Sequence, residues 1–323
     1  MKQKIPEMKP EFKERMQALL GKDFEEYSKI LKKEPVKSIR CNTLKISPPE
    51  LKAKLEAHKW KISQPWKSNP EVMIVESDLE PGEIGRSLEH QLGYYYVQEL
   101  ASMLPPIALA PKSEDIILDM CASPGSKTTQ MAAMMQNTGT IIANEVSMGR
   151  LKILSSNLER CGVTNTIITK KDGVAFPNRL EKYMPTLKFD KILIDAPCSG
   201  EGTLRSSYKT YQMWNPKIIF SLSKLQKQMM NAAWKILKIG GEIVYSTCTH
   251  APEENEAVVD YFLKEFENKV KIEKISLPIK PRAGLTKWQD ENYAKEVKFA
   301  YRVYPQDNNT EGFFLAKFKK VKE

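Results

Sequence analysis

Two cysteines in this chain stand at positions suited to chemistry. Cys198 follows the run KILIDAP and Cys248 follows EIVYST. Both runs are apolar and rich in β-branched residues, so they read as strands that stop at a thiol. A thiolate is a strong nucleophile, and two of them at neighbouring strand ends could form and then resolve a covalent intermediate. A Cys–His hydrolase is the rival chemistry. His250 follows Cys248 by two positions, but no histidine stands in a papain-type pattern. Cys41 in a strand and Cys161 on a helix read as core residues. Cys121 lies inside a loop, and its position leaves its role open.

That loop, DMCASPGSKT at 119–128, is a strand end, a Pro-Gly turn and a helix start. Gly125 would let backbone approach a ligand, and the N–H groups of the first helical turn favour an anion. It is neither a Walker A loop, since Ser126 stands where glycine is required before Lys127, nor a GxGxxG turn. A plain strand–helix turn fits it equally well. The next strand ends in ANEVS. Glu145 could accept hydrogen bonds from ribose hydroxyls, or be an ordinary exposed acid. Asp172, in KKDG, could meet an adenine edge or serve as a turn residue. Lys127 could lower a thiol's proton affinity if it points toward one. Trp214, Tyr208 and Tyr211 could stack on a base, although loop packing explains each singly.

These residues need elements to hold them. From Glu114 onward strands alternate with helices: 116–121, 140–147, 166–173, 191–197 and 242–249 read as strands, and the helices between them include a long one at 216–238. The pattern predicts an α/β fold with a doubly wound, mostly parallel sheet, whose ligands bind at the carboxyl ends of the strands. Ahead of it, residues 10–33 read as helical, 38–47 and 71–77 as strands, and Ser47 as the cap of a helix beginning PPELK. YYYVQELASMLPPIAL, 94–109, reads as a helix and an apolar connector. A small N-terminal α+β domain over 1–105 and a larger domain over 106–323 follow.

The 323 residues carry 50 Lys/Arg against 40 Asp/Glu, a net +10. Most of that excess falls after residue 110, so a polyanion such as nucleic acid would meet the larger domain. Five cysteines with no CxxC pair suggest neither a zinc ribbon nor a disulfide framework. The first sixteen residues lack an apolar signal core and no run of eighteen apolar residues occurs, so no membrane span and no metal are expected. A reducing cytoplasm is the expected setting.

The stretches RCNTLK, YYYVQELASMLP, DMCASPGSKT, ANEVS, KKDG, DAPCSGEGT, YSTCTHAPEENE and TEGFFLAKF occur in this order. Together they resemble the Nol1/Nop2/Sun family of RNA cytosine-C5 methyltransferases, and among them the archaeal tRNA enzymes. The resemblance implies a Rossmann-like, class I S-adenosylmethionine-dependent methyltransferase fold behind an RRM-like RNA-binding domain. It implies S-adenosylmethionine held by Cys121, Ala122, Ser123, Pro124, Gly125, Ser126 and Lys127, with Glu145 at the ribose, Asp172 at the adenine, and Arg150 and Asp195 closing the pocket. It makes Cys248 the nucleophile and Cys198 the cysteine that assists release, with Asp195 and Lys127 beside the target base. The expected partner is RNA, tRNA first and rRNA next. Non-catalytic RNA binding and DNA cytosine methylation, the latter through Pro197-Cys198, are the alternatives. Gln306 and Glu311 depart from the family's usual residues. The chain stops soon after Phe318, so no C-terminal RNA-binding extension is expected.

Overall fold

The computed structural model describes residues 8–323. Its centre is a sheet of five parallel strands, β5 (Ile116–Asp119), β6 (Thr140–Asn144), β7 (Thr166–Thr169), β8 (Phe189–Asp195) and β9 (Leu237–Thr247). They lie in the order β9-β8-β5-β6-β7. The middle strands are buried almost throughout, as a sheet covered on both faces requires. The chain leaves β5 toward β6 on one side and reaches β8 on the other. A crevice therefore opens at the carboxyl ends of β5 and β8.

Beyond β9 the sheet turns antiparallel through β15 (Phe313–Lys320) and β14 (Tyr301–Val303), with β11 (Arg282–Ala283) at the edge and β10 (Val270–Glu273) also paired to β15. A separate hairpin joins β12 (Lys287–Trp288) to β13 (Glu291–Asn292). The helices Ser126–Met134, Met148–Cys161 and Pro216–Ile236 cover the sheet. The last of these runs directly into β9 at Leu237, two residues short of the expected 238.

The N-terminal unit is a four-stranded antiparallel sheet of β1 (Ser38–Cys41), β2 (Ile62–Ser63), β3 (Val72–Val75) and β4 (Tyr95–Val97), in the order β2-β3-β1-β4. The helix Pro48–Ala57 lies between β1 and β2, started by Ser47 and Glu50 in a reciprocal capping box. Two short helices lie between β3 and β4, which completes a split βαβ topology. One expectation is corrected here: residues 95–97, read as helical, form β4, because their apolar side chains complete the small sheet before the helix Leu104–Leu109 begins.

The other sheet face is closed off. Val72 and Ile74 pack against Leu100, Leu104 and Met131 in one cluster with the larger domain. Arg40, 1% exposed, donates to Ser126 O at 2.7 Å and Thr129 Oγ1 at 2.8 Å, and also bonds Gln98. The helices Pro10–Leu20 and Phe24–Ile30 do not join this small sheet. Phe12, Met16, Leu20 and Tyr27 pack on Leu204, Tyr211, Trp214 and Tyr304 of the larger domain.

Candidate active site

Register brings the two thiols together. In the β8–β9 ladder Asp195 lies opposite Ser246, whose hydroxyl donates to Asp195 Oδ1 at 2.8 Å. Cys198 and Cys248, each a short step beyond those partners, meet with 3.2 Å between their sulfurs. Hydrogen bonding to Cys248, reinforced by burial, raises the proton affinity of Cys198. Cys198 thus keeps its proton, 3.2 Å from the second sulfur.

The loop after β8 is braced from behind. Ser199 N–H donates to Glu254 Oε2 at 3.0 Å, and Gln226 Nε2 bonds both Pro197 O and Glu254 Oε2 at 2.9 Å. Gly202 N–H donates to Cys248 O at 2.9 Å and Gly312 N–H to Gly202 O at 2.8 Å, so three backbones converge. A Cβ on Gly202 would stand 2.2 Å from Gly312 O, so the crossing admits only glycine.

Lys127 does not act on a thiol. Its ammonium pairs with Asp195 Oδ2 at 2.8 Å, donates to Ser102 Oγ at 2.9 Å and lies over the Phe313 ring. His250 does not serve as a base. It is 1% exposed and stacked on Tyr304, and burial, with Arg302 nearby, drives it down to about 3. Trp214 and Tyr211 are corrected from base-stacking candidates to core: Phe12 packs edge-on to both rings, and Trp214 Nε1 donates to Glu201 at 2.8 Å. The Tyr208 side chain lies outside the described residues.

The crevice at the switch point is lined by Cys121, Ser123, Glu145, Arg150, Asp172, Asp195, Cys198 and Cys248, with Val146, Leu225 and Met229 as apolar wall. Glu145 is buried at the end of β6. Its carboxylate accepts from Ser147 N–H at 2.8 Å and pairs with Arg150 at 3.5 Å. Arg150 also donates to Ser123 O at 2.6 Å, and Ser123 Oγ donates back to Arg150 O, so turn and helix are clasped. Asp172 is exposed, and its Oδ1 accepts from Val174 and Ala175 N–H, so the turn role is realised at the crevice wall. Burial raises the proton affinity of Cys121 strongly, so it is a neutral lining thiol.

The turn serves two clefts. Pro124, Ser126 and Lys127 face a second one beside Tyr96, and Ala122 is core against Leu154 and Leu158. Gly125 begins the helix at φ +105°, a conformation that glycine alone takes readily. Two residues escaped the sequence reading. Asp119, ending β5, accepts from Thr128 and keeps one oxygen unpartnered; burial pushes it up to about 7. Asn144 ties three strand ends, donating to Met120 O and Lys171 O and accepting from Thr169 and Lys171 N–H. Each is a polar residue at the end of an apolar strand, a signal the sequence does carry.

A second groove reaches the same thiol from the other side, lined by Val97, Glu99, Lys127, Glu311 and Phe313. Asp195 and Cys248 belong to both. Among the described residues, no group of three or more His, Cys, Asp or Glu is placed to hold a metal ion, and no helix is long and apolar enough to cross a membrane.

A doubly wound sheet with an acid closing its second strand and paired thiols at the rim defines the class of S-adenosylmethionine-dependent methyltransferases. The chain belongs to the RsmB/F family, within the Nol1/Nop2/Sun group: the model for 16S rRNA methyltransferase RsmB/F matches residues 106–319. That for the N-terminal domain of 16S rRNA methyltransferase RsmF matches 8–100. A tRNA (cytosine(49)-C(5))-methyltransferase of Pyrococcus abyssi is 43% identical over 92% of both chains. A ribosomal RNA small subunit methyltransferase F of Vibrio cholerae is 38% identical over 88% of this chain, which spans 58% of that longer protein. A methyltransferase homolog from Pyrococcus horikoshii is 34% identical with a TM-score of 0.81, covering 96% of this chain and 94% of that one. NSun6 from the same organism, solved with the S-adenosylmethionine analogue SFG, superposes at 0.82 with 27% identity over 98% and 99% of the two chains.

Proposed function

We propose that this chain methylates C5 of cytosine in tRNA through a transient bond between Cys248 and C6 of the ring. The observation that carries the reading is the sulfur pair at 3.2 Å, placed where the crevice and the groove meet. One opening can admit a methyl donor and the other a base flipped out of its stack. The buried Glu145, which lines the crevice, fits a ligand rich in hydroxyl donors. Glu145, Arg150, Asp172, Asp195 and the 121–127 turn would hold S-adenosylmethionine. When bound, that cofactor supplies an electrophilic methyl group.

Cytosine C5 is a weak nucleophile. Addition of the Cys248 thiolate to C6 breaks aromaticity and makes C5 enamine-like, so one hard step becomes several easier ones. Asp195, held by Ser246 and Lys127, would stabilise the charge developing on the ring by sharing a proton with cytosine N3. Afterwards the C5 proton leaves as the Cys248–C6 bond breaks. Water takes that C5 proton, and Cys198, 3.2 Å from Cys248, can give its own proton to the departing sulfur.

Support for tRNA comes from the Pyrococcus abyssi relative, which matches over 92% of both chains. The RsmF relatives support ribosomal RNA as the second substrate class. Radiolabelled methyl transfer to tRNA and to 16S rRNA transcripts tests the choice. Transfer to tRNA is expected; transfer confined to 16S rRNA overturns the tRNA reading. If Cys248→Ala still methylates while Cys198→Ala does not, the nucleophile assignment falls.

A further inference from the structure

Three carboxylates line the groove that reaches Cys248, namely Asp195, Glu99 and Glu311. Two are already engaged. Asp195 accepts from Ser246 and pairs with Lys127. Glu99 accepts from the N–H groups of Glu311 at 2.9 Å and Ser102 at 3.2 Å. Glu311 differs: it is 4% exposed, and among the described residues neither carboxyl oxygen closes a hydrogen bond of ordinary geometry. Ser206 and the Arg205 guanidinium lie close enough to favour its charged form. Arg205, however, turns Nη1 to Thr310 O and Nη2 to Glu34 O and Asn309 Oδ1, and its Nε closes no hydrogen bond with Glu311. Burial and the charge of Glu99 prevail, and Glu311 is pushed up to about 7. A buried acceptor whose neighbouring donor, Ser206, stands outside ordinary hydrogen-bond geometry is costly, so the site has a use for an incoming N–H.

Its position is fixed relative to the reactive sulfur. The register Phe314↔Thr247 sets β15 against the end of β9, and Gly312, the next residue after Glu311, bonds through Gly202 to the Cys248 carbonyl. A carboxylate here repels phosphate, so the part of an RNA that can approach it is a base edge bearing an amino group. On a pyrimidine attacked at C6, cytosine presents that donor at C4, where uracil presents a carbonyl.

We propose that Glu311 is a specificity-determining residue that accepts a hydrogen bond from the 4-amino group of the cytosine attacked by Cys248. This rests on the function proposed above and adds to it how the base is told from its neighbours. A buried acceptor rejects a ring lacking the donor more strongly than apolar packing alone.

The test uses an RNA transcript that the wild-type protein methylates, carrying either cytosine or 2-pyrimidinone, which lacks the amino group, at the methylated position. Initial rates give kcat/KM for wild type, Glu311→Gln and Glu311→Leu. We expect Glu311→Leu to lose at least about tenfold on cytosine and little on 2-pyrimidinone, so that the ratio collapses. Glu311→Gln, which keeps an oxygen acceptor, should fall between. Equal losses on both bases, or an unchanged ratio, overturn the assignment. Calorimetric binding of S-adenosylmethionine monitors folding, and if Glu311→Leu no longer binds it, the Glu311→Gln ratio decides by the same criterion. A wild-type protein that methylates no RNA at all overturns the underlying function instead.

Discussion

Two thiols 3.2 Å apart need not share one task. Cys198 keeps its proton because Cys248 and burial favour the neutral form, and in the function proposed above Cys248 is the sulfur that attacks. Replacing Cys198 with Ala should therefore leave attack intact and slow release. The expected outcome is an enzyme–RNA adduct that survives denaturing electrophoresis as a retarded band, absent from the Cys198→Ala/Cys248→Ala double variant. Glu145 makes a separate prediction. Its buried carboxylate is already aimed by Ser147 and Arg150. Glu145→Gln should weaken S-adenosylmethionine binding about tenfold by calorimetry, the worth of a charge-assisted hydrogen bond.

Elements decide which residues meet, and here the sequence was legible unevenly. Strand ends could be read because apolar runs stop at polar residues. The thiol pair followed from that, since β8 and β9 turned out to be neighbours in register. The direction of Lys127 could not be read, because Asp195 and Ser102 lie far away in the chain. For Trp214 and Tyr211 base stacking stayed open beside loop packing, because the helix that buries them begins some two hundred positions earlier. Tyr95–Val97 looked helical because a short apolar run has no period of its own until a partner strand supplies one.

The braces behind the thiols are testable at this scale. Gly202→Ala should cost about 3 kcal/mol in urea unfolding, because its methyl has only backbone to displace. Glu254 ties the Cys198 loop to the segment after β9, and burial pushes it up to about 7, against an ordinary value near 4.5. A raised carboxyl favours folding fully below its unfolded value, and that contribution is lost as pH rises through 7. Wild type should thus lose up to about 3 kcal/mol relative to Glu254→Gln between pH 4.5 and 7.5. An unchanged gap between the two unfolding curves would mean the carboxyl titrates normally in the fold.

At the scale of the molecule, the N-terminal unit has the strand order of an RNA-recognition fold but uses its open face for internal packing. Any RNA contact from this unit must then come from its rim, where Val36, Lys37 and Val97 border the groove to Cys248. Arg40 is the polar anchor of that packing, and burial lowers it to about 10. Arg40→Met leaves Thr129 and the Ser126 carbonyl without their donor and should cost about 2 kcal/mol, read as a lowered melting temperature with S-adenosylmethionine affinity reduced in step.

Because a guanidinium from the smaller unit ends on the first turn of the helix behind the Pro-Gly loop, severing the polypeptide between residues 100 and 106 would not yield two self-sufficient halves. The larger fragment would face water with a raw polar seam directly beneath its Pro-Gly turn. Added back in trans, the smaller fragment should restore the fold of that turn.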